Sequence, residues 1–415
     1  MNRSTGANII HHDGIGHHPL GAGSYYFKDD LVNWLCNRVA ETQISIFIGA
    51  QPNSSPHMGN ICNIATAFAL GQQLQAAGRG VRVCFDAVDT APTPGRDSNV
   101  RIDGITYQRS LHWSKVDEAY LSQFSEILAE FSRTSGVAFT VRKQAEILGS
   151  SVALEHLRDI ISQRAELGAL LSPKTGHLGI RAACPVEACG LSDRAGVRNR
   201  YLEDGSILFH CHVHGDFDIS LHDPRQAAKL ELNTPMRNLL RNRLFGTDPA
   251  TYWIQVVGAD YAGFYQEQFL WRPLAATDLP LEKLPLILYS PQILDWSGSK
   301  LSKSMYVESS AYSYLRGTSL EYMLGYHLLP ASGFTLEHIY RVCYDWIDNP
   351  YKLFRAYSIY YLHDLLTAAR NTAVSSPGEE REEESHPVGT RRKLRAFYAA
   401  LNRWGRVGAH KKIQG

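Results

Sequence analysis

Residues 44–60 read Ile-Ser-Ile-Phe-Ile-Gly-Ala-Gln-Pro-Asn-Ser-Ser-Pro-His-Met-Gly-Asn, and this stretch decides the fold. Ile44 to Ile48 is short, apolar and β-branched, as expected of a strand buried on both faces of a parallel sheet. Gln51 to Pro56 is a loop of Pro, Asn and Ser. From Met58 to Leu74 the spacing turns helical, with Ile61, Ile64, Ala65 and Phe68 on one stripe, and Gly78 and Gly80 stop it. A strand that runs into a helix in this way offers unpaired N–H groups and a positive dipole end to an anion. His57 stands at that helix start, and Gly59 leaves room for a ligand against the backbone. By itself the stretch also fits an ordinary βα unit with a chance histidine.

Further out, the chain has 415 residues, enough for two or three domains and a large core. Lys and Arg number 42 against 41 for Asp and Glu, so no global field draws the chain to nucleic acid or a membrane surface. No apolar run approaches the ~18 residues of a membrane span. Met1 to Ser24 is a Gly/His-rich polar start, read as a flexible arm and not a signal peptide. Seven cysteines, an odd number, suit a reduced compartment. The expectation is a soluble, cytoplasmic α/β protein with neither membrane nor DNA among its partners.

Several elements follow from the same patterning. Phe27 to Ala40 reads as a helix, and Val81 to Val88 as a second strand ending in Phe85-Asp86-Ala87-Val88-Asp89. Acidic side chains at a strand's C-terminal end sit where open α/β sheets bind ligands, so Asp86 and Asp89 either face a substrate ammonium or begin a solvated loop. Val116 to Phe131 and Ser151 to Leu171 read as long helices, with a strand over Val137 to Arg142 between them. Tyr252 to Val257 is a β-rich run that leads into Gly258-Ala259-Asp260 and a helix from about Tyr265, and Leu284 to Tyr289 is a further strand. Ser313 to Leu329 and Leu336 to Tyr361 are helical in pattern.

Cys184-x4-Cys189-Gly190 and Cys211-x2-His214-Gly215, separated by a hairpin-like interval, have the look of two knuckles of a zinc ribbon. Tetrahedral Zn2+ takes soft thiolate and imidazole ligands, and the glycines allow tight turns beneath it. His210 or His212 could replace His214, and a cluster of free thiols is the bland alternative. Thr372 to Thr390 shifts to Ser, Pro, Gly and Glu, a linker composition. Arg391 to Lys412 is basic, with Leu394, Phe397, Tyr398, Leu401 and Trp404 on one helical stripe, suited to RNA or to docking on the chain's own core.

Pro-x4-His57-Met58-Gly59-Asn60 and the later Lys300-Leu301-Ser302-Lys303-Ser304 resemble the His-Ile-Gly-His and Lys-Met-Ser-Lys-Ser signatures of class I aminoacyl-tRNA synthetases. The match is most similar to the class I, archaeal-type, lysyl-tRNA synthetases (lysine–tRNA ligases) and covers about residues 40 to 365. That family also carries Asn where Asn60 stands, an Asp-containing motif like Phe85 to Asp89, a cysteine-rich zinc element, a Trp-Pro-Met-Arg-Trp segment like Thr234 to Asn238, and a Gly-x-Asp like Gly258 to Asp260. There are departures: Thr234 or Asn238 stands in place of the pocket Trp of that segment, Tyr261 replaces a histidine, and Leu301 replaces Met, whereas Tyr289 matches a pocket tyrosine. In the family a helical stem-contact and anticodon-binding region follows, and here the match fades about fifty residues before the sequence ends, half of them linker.

The resemblance implies an α/β, Rossmann-like nucleotide-binding fold: a flexible N-terminus over 1–24, a catalytic domain over 25–310 with a zinc-binding insertion at about 175–225, a helical stem-contact-like segment over 311–371, a linker over 372–390 and a basic amphipathic tail over 391–415. It implies ATP and Mg2+ as well as Zn2+, and activation of lysine or a related amino acid as its adenylate. His57 and Asn60 would hold phosphate oxygens, with Gly59 under the adenine; Lys300 and Lys303 would close on the β- and γ-phosphates, aided by Ser302 and Ser304. Asp260 would take the ribose hydroxyls and Gly258 admit the nucleotide, and Gly49, Gln51, Asp86, Tyr261 and Tyr289 would form the amino-acid pocket. Cys184, Cys189, Cys211 and His214 would hold the metal. The expected acceptor is a non-tRNA small molecule or protein group. A minimal synthetase charging a tRNA acceptor stem, a nucleotidylyltransferase of the same superfold, and an inactive regulatory homologue are the alternatives.

Overall fold

The computed structural model describes residues 31–93, 99–262, 279, 283–302, 311–353 and 355–374. The N-terminal arm, the helix expected from about Tyr265, Lys303, Ser304, the basic tail and all but the first three residues of the expected linker lie outside the described residues.

The core is a mixed α/β arrangement around a five-stranded sheet. Its strands are β1 (Gln43–Ala50), β2 (Gly80–Ala87), β3 (Ala138–Lys143), β4 (Tyr252–Gly258) and β5 (Leu286–Ser290). All neighbours run parallel, and the spatial order is 3-2-1-4-5. This is the Rossmann-like order, in which the chain reverses its direction of winding between β1 and β4 and opens a crevice at the strands' carboxyl ends. The register fixes that crevice: Gly49 of β1 pairs with Asp86 of β2, and Gly258 of β4 pairs with Ser290 of β5.

Alternation along the strands sorts side chains between the two faces. Ile44, Ile46, Ile48, Val83, Phe85, Ile254 and Val256 join the large core that contains α1 (Met58–Ala76). Phe47, Cys84 and Trp253 point the other way and meet Phe245 of α3 (Thr234–Thr247), whose ring stacks 4.0 Å from that of Trp253. The sheet thus lies between α1 on one face and α3 on the other.

Helix α1 is apolar nearly all round, as a helix must be when neighbours cover every side. Beneath it is the sheet; beside it is α2 (Val116–Ser135), with Phe131 6.1 Å from Phe68; above it is α4 (Leu336–Asp348). The Tyr340 hydroxyl of α4 donates to Gln72 Oε1 at 2.6 Å, and Cys343 packs on Cys62. Fully burying a side chain such as Phe68 contributes about 1.5–3 kcal/mol, so this sandwich holds the start of α1 in place.

Three expected elements take a different form. The helix expected over Ser151–Leu171 is two, Ser151–Ser162 and Arg164–Leu171, broken at Gln163. Ser313 to Leu329 is a series of short 3-10 turns, because Gly317 at φ +70 and the extended Gly325 interrupt the apolar spacing. Leu336 to Tyr361 is broken after Asp348 at Asn349-Pro350, and Tyr357–Ser358 forms a short strand parallel to Ile293–Leu294. The apolar residues of this segment, among them Leu315, Met323, Trp346 and Leu362, share one core with β1 and α1. The described residues up to Arg370 form one compact unit.

Candidate active site

A cavity of about 430 Å3 opens at the carboxyl ends of β1 and β4, where the winding direction reverses. That is the size and place of a small-molecule site in an open α/β sheet. Its walls come from both faces: His57, Gly59, Asn60 and Asn63 from the α1 side, and Phe47, Arg237, Asn238 and Arg241 from the α3 side.

His57 is the N-cap of α1, with extended backbone (φ −79, ψ 168) and no capping bond from its side chain. Its carbonyl accepts the first helical bonds, from the N–H of Asn60 at 2.9 Å and of Ile61 at 3.1 Å. The imidazole folds back over Gly59, where an added Cβ would lie 3.0 Å from His57 Cε1. Asn60 and Asn63, one turn apart, continue the polar strip into the cavity, and the Ser290 hydroxyl donates to Asn63 Oδ1 at 2.9 Å. The loop before His57 is anchored from the far end of the chain: the Tyr326 N–H donates to the Pro56 carbonyl at 2.8 Å.

Across the cavity, Gly258 closes β4 and Asp260 follows it in a 3-10 turn. A Cβ on Gly258 would sit 2.5 Å from Asp260 Oδ1, so the carboxylate occupies the space that only glycine leaves. After β5 the chain makes a short hairpin, with the Leu301 N–H donating to the Ile293 carbonyl at 2.8 Å. Asp295 organises its tip by accepting from the Ser297 N–H at 2.8 Å and the Ser297 hydroxyl at 2.7 Å. Lys300 projects from this hairpin and bonds the Asp260 carboxylate, with its ammonium 5.9 Å from the Tyr261 ring centre. The Ser302 N–H donates to the Tyr312 hydroxyl at 2.9 Å, which ties down the base of the loop.

Of the residues expected at the site, His57, Gly59, Asn60, Gly49, Gln51, Gly258, Asp260, Tyr261 and Lys300 line this one cavity. Ser302 is outside it, and Lys303 and Ser304 lie outside the described residues. Two further expected residues stand away from the lining. Asp86 does not line the cavity: strand alternation turns it toward the α3 face, where Arg142 Nε donates to Oδ1 at 2.8 Å and Arg241 lies 3.7 Å from Oδ2. Tyr289 is also absent from the lining; it is buried with Leu284 and Ile287, and its neighbour Ser290 reaches the cavity instead.

Arg237, Arg241, Asn63, Ser290 and Gln292 line the cavity without having been singled out as site residues from the sequence. The signal available was the i, i+4 spacing of Arg237 and Arg241, which puts both on one face of α3. Among the described residues, Asp260 is the one acid in the lining, against Arg237, Arg241 and Lys300. The cavity therefore has an electropositive wall suited to an anionic ligand.

A second cluster lies in the segment after Ala182. The sulfurs of Cys184, Cys189 and Cys211 and a ring nitrogen of His214 fall within 4.8 Å of one another. Cys189 and Cys211 sulfurs are 3.7 Å apart, and His214 Nδ1 is 3.4 Å from Cys184 Sγ and 3.8 Å from Cys211 Sγ. Tetrahedral zinc with Zn–S of about 2.3 Å requires sulfur separations of about 3.8 Å, so the donor set and its spacing fit that ion. The turn at the second cysteine passes through positive φ on either side of Cys189, at Ala188 (64) and Gly190 (60). The second pair closes the hairpin Ser206–Cys211 and Gly215–Ser220. Of the alternative ligands, His210 is held by Asp216 at 2.6 Å, and the His212 ring packs 4.7 Å from Tyr107.

Among the described residues no helix is long and apolar enough to cross a membrane. No family model and no curated protein matches the chain. Among solved structures, a Campylobacter jejuni chain provisionally named an arginyl-tRNA synthetase aligns over 86% of this chain and 93% of its own, at 9% identity and a TM-score of 0.29. At that score the likeness carries no argument for fold or activity.

Proposed function

We propose that this cavity activates an amino acid with ATP, forming an aminoacyl-adenylate and pyrophosphate. The observation that supports it is the convergence of three groups on one crevice: His57 from a helix start, Asp260 from the end of β4 and Lys300 from the hairpin after β5. An oxygen of the amino acid's carboxylate attacks the α-phosphorus, the bond from that phosphorus to the β-phosphate oxygen breaks, and pyrophosphate leaves. The task is alignment of two anions and stabilisation of charge on the pentavalent phosphorus, which positioned donors accomplish without a strong nucleophile or base.

In this reading the N-terminus of α1, His57 and Asn60 donate to phosphate oxygens, with the dipole adding its positive end. Gly59 and Gly258 let the nucleotide lie against backbone, and Asp260 accepts from the ribose hydroxyls. Lys300, with Lys303 beyond it in sequence, neutralises the departing phosphates. Mg2+ brought with ATP would supply further neutralisation of the phosphate charge. Zn2+ held by Cys184, Cys189, Cys211 and His214 would be structural, since four protein ligands leave no open position for chemistry.

Lysine, the amino acid implied by the sequence resemblance, is not carried into this proposal. The carboxylate that would receive its ammonium, Asp86, is engaged by Arg142 and Arg241. For the second half-reaction we propose transfer to a non-tRNA amine or hydroxyl. A tRNA phosphate backbone calls for a cluster of Lys and Arg; the chain's net charge is only +1, and its dense basic cluster, Arg391 to Lys412, follows a linker that carries a run of glutamates. The test incubates enzyme, ATP and amino acids with total tRNA. Saturable, salt-sensitive formation of an RNA-linked ester would replace this acceptor with tRNA, and adenylate that accumulates without such an ester supports it.

A further inference from the structure

Lys300 is the cation on which the proposed reaction turns, and it rides on a hairpin whose two arms meet at one buried hydroxyl. Backbone pairing between the arms is short: Leu294 and Lys300 form a single bridge, and the Leu301 N–H donates to the Ile293 carbonyl. The rest depends on Asp295 and Tyr312. Asp295 Oδ1 accepts from the N–H and hydroxyl of Ser297 and from the Ser299 N–H at 3.2 Å, which folds the tip. Its other oxygen, Oδ2, accepts from the Tyr312 hydroxyl at 3.4 Å. The same hydroxyl accepts from the Ser302 N–H at 2.9 Å and reaches the carbonyl of Lys300 itself at 3.5 Å. One oxygen thus joins Asp295 at the start of the hairpin, Lys300, and Ser302 at its end.

Tyr312 can hold the hairpin because it is fixed from outside it. The residue is 3% exposed and packs, with Ile293 and Leu301, in the core that contains β1 and α1. With His57 and Ser302 it also borders a small cavity beside the start of α1. A lysine ammonium sits on a long flexible stem, and it stabilises developing charge well only when the backbone that carries it is held to a fraction of an ångström. We infer that Tyr312 is a positioning residue for Lys300: its hydroxyl, tied to both arms, sets where the hairpin presents the ammonium to the cavity. A phenol has one proton to give, and here two acceptors share it. The Lys300 carbonyl can therefore shift as the ammonium leaves Asp260 while Asp295 keeps the hydroxyl bonded. The inference rests on the adenylate-forming reading of the cavity, in which Lys300 neutralises the departing phosphates.

The test is a double-mutant cycle in ATP–pyrophosphate exchange with a complete amino-acid mixture. Tyr312→Phe removes the hydroxyl and keeps the ring. Its maximal rate should fall ~10-fold while the KM for ATP stays within a few-fold, since Lys300 acts chiefly in the transition state. In a Lys300→Ala background the same substitution should cost no more than about twofold, because the group being positioned is gone. A tyrosine that served packing alone would cost the same in both backgrounds; that result, or a rate within about twofold of wild type, overturns the inference. Asp295→Asn, which leaves one acceptor oxygen where the carboxylate has two, gives the same readout should the first variant not fold. Hydrogen exchange without ligands separates the hairpin from the reaction: the amides of Ser297, Ser299 and Leu301 should exchange ~10-fold faster in Tyr312→Phe, with those of β5 unchanged. Should wild type incorporate no label with any amino acid, the adenylation reading falls and these amides decide alone. Faster hairpin exchange then sustains Tyr312 as the anchor of Lys300's hairpin, and unchanged exchange ends that as well.

Discussion

Lys300 bonds the carboxylate of Asp260, joining the hairpin after β5 to the end of β4 inside the candidate site. The two groups are also the ones given separate tasks in adenylation, so nucleotide binding has to part them. In the proposed reaction Asp260 would turn to the ribose, and Lys300 would be released toward the phosphates. Lys300→Ala should slow adenylate formation by ~10²-fold or more, because its bonds strengthen as charge builds in the transition state. Single-turnover measurement decides it, and a rate within about threefold of wild type would count against this role.

Gly258 tests the other partner. Its backbone, at φ −64 and ψ 143, accepts any residue, so alanine costs nothing in conformation. The new Cβ would nevertheless lie 2.5 Å from Asp260 Oδ1 and push the carboxylate aside. Gly258→Ala should therefore raise the KM for ATP by ~10-fold or more while stability changes by no more than about 1 kcal/mol. Equal loss of thermal stability and activity would mean that the glycine serves packing alone.

The β1–α1 junction was legible because a strand buried on both faces is a continuous apolar run, and His57 follows it at a fixed distance. The cysteine pairs and Gly258-Ala259-Asp260 were legible for the same local reason. Arg241 was not, since it reaches the cavity only through the sheet order that sets α3 opposite α1. Asp86 was read from nearness to a strand end and Tyr289 from the family resemblance, whereas alternation decides where each side chain points. Ser313 to Leu329 has helical spacing of its apolar residues, but Gly317 and Gly325 break it into single turns.

Metal content is a direct test of the thiol cluster. Purified protein should carry about one zinc per chain, and Cys184→Ser should lose it. Chelation should raise hydrogen exchange in the hairpin Ser206–Ser220 and leave the β1–β4 amides protected, because the cluster braces the hairpin and not the main sheet. Zinc-free protein with a fully protected hairpin would rule the ion out.

Asp89 offers a pH test. Burial raises its carboxyl above the ordinary value of 3.8, with Asp117 adding to the effect and the Gln144 N–H, His112 and Lys143 opposing it. A raised folded-state value means that its stabilising contribution is full below the ordinary value and is lost as pH climbs through the raised one. Asp89→Asn should therefore be more stable than wild type at neutral pH, by something of order 1 kcal/mol, with the gap closing toward about pH 4. Paired denaturant titrations across that range measure it; a gap that widens in acid would reverse the sign.

Adenylation itself is tested most directly by ATP–pyrophosphate exchange. Wild-type enzyme is given ATP, labelled pyrophosphate and a complete amino-acid mixture, then the mixture is withheld, and both assays are repeated with His57→Ala. The expected result is label entering ATP only when amino acids are present, with the rate falling by ~10²-fold or more in His57→Ala. Exchange that is independent of amino acids, absent from folded and zinc-loaded wild type, or unchanged in His57→Ala would contradict it.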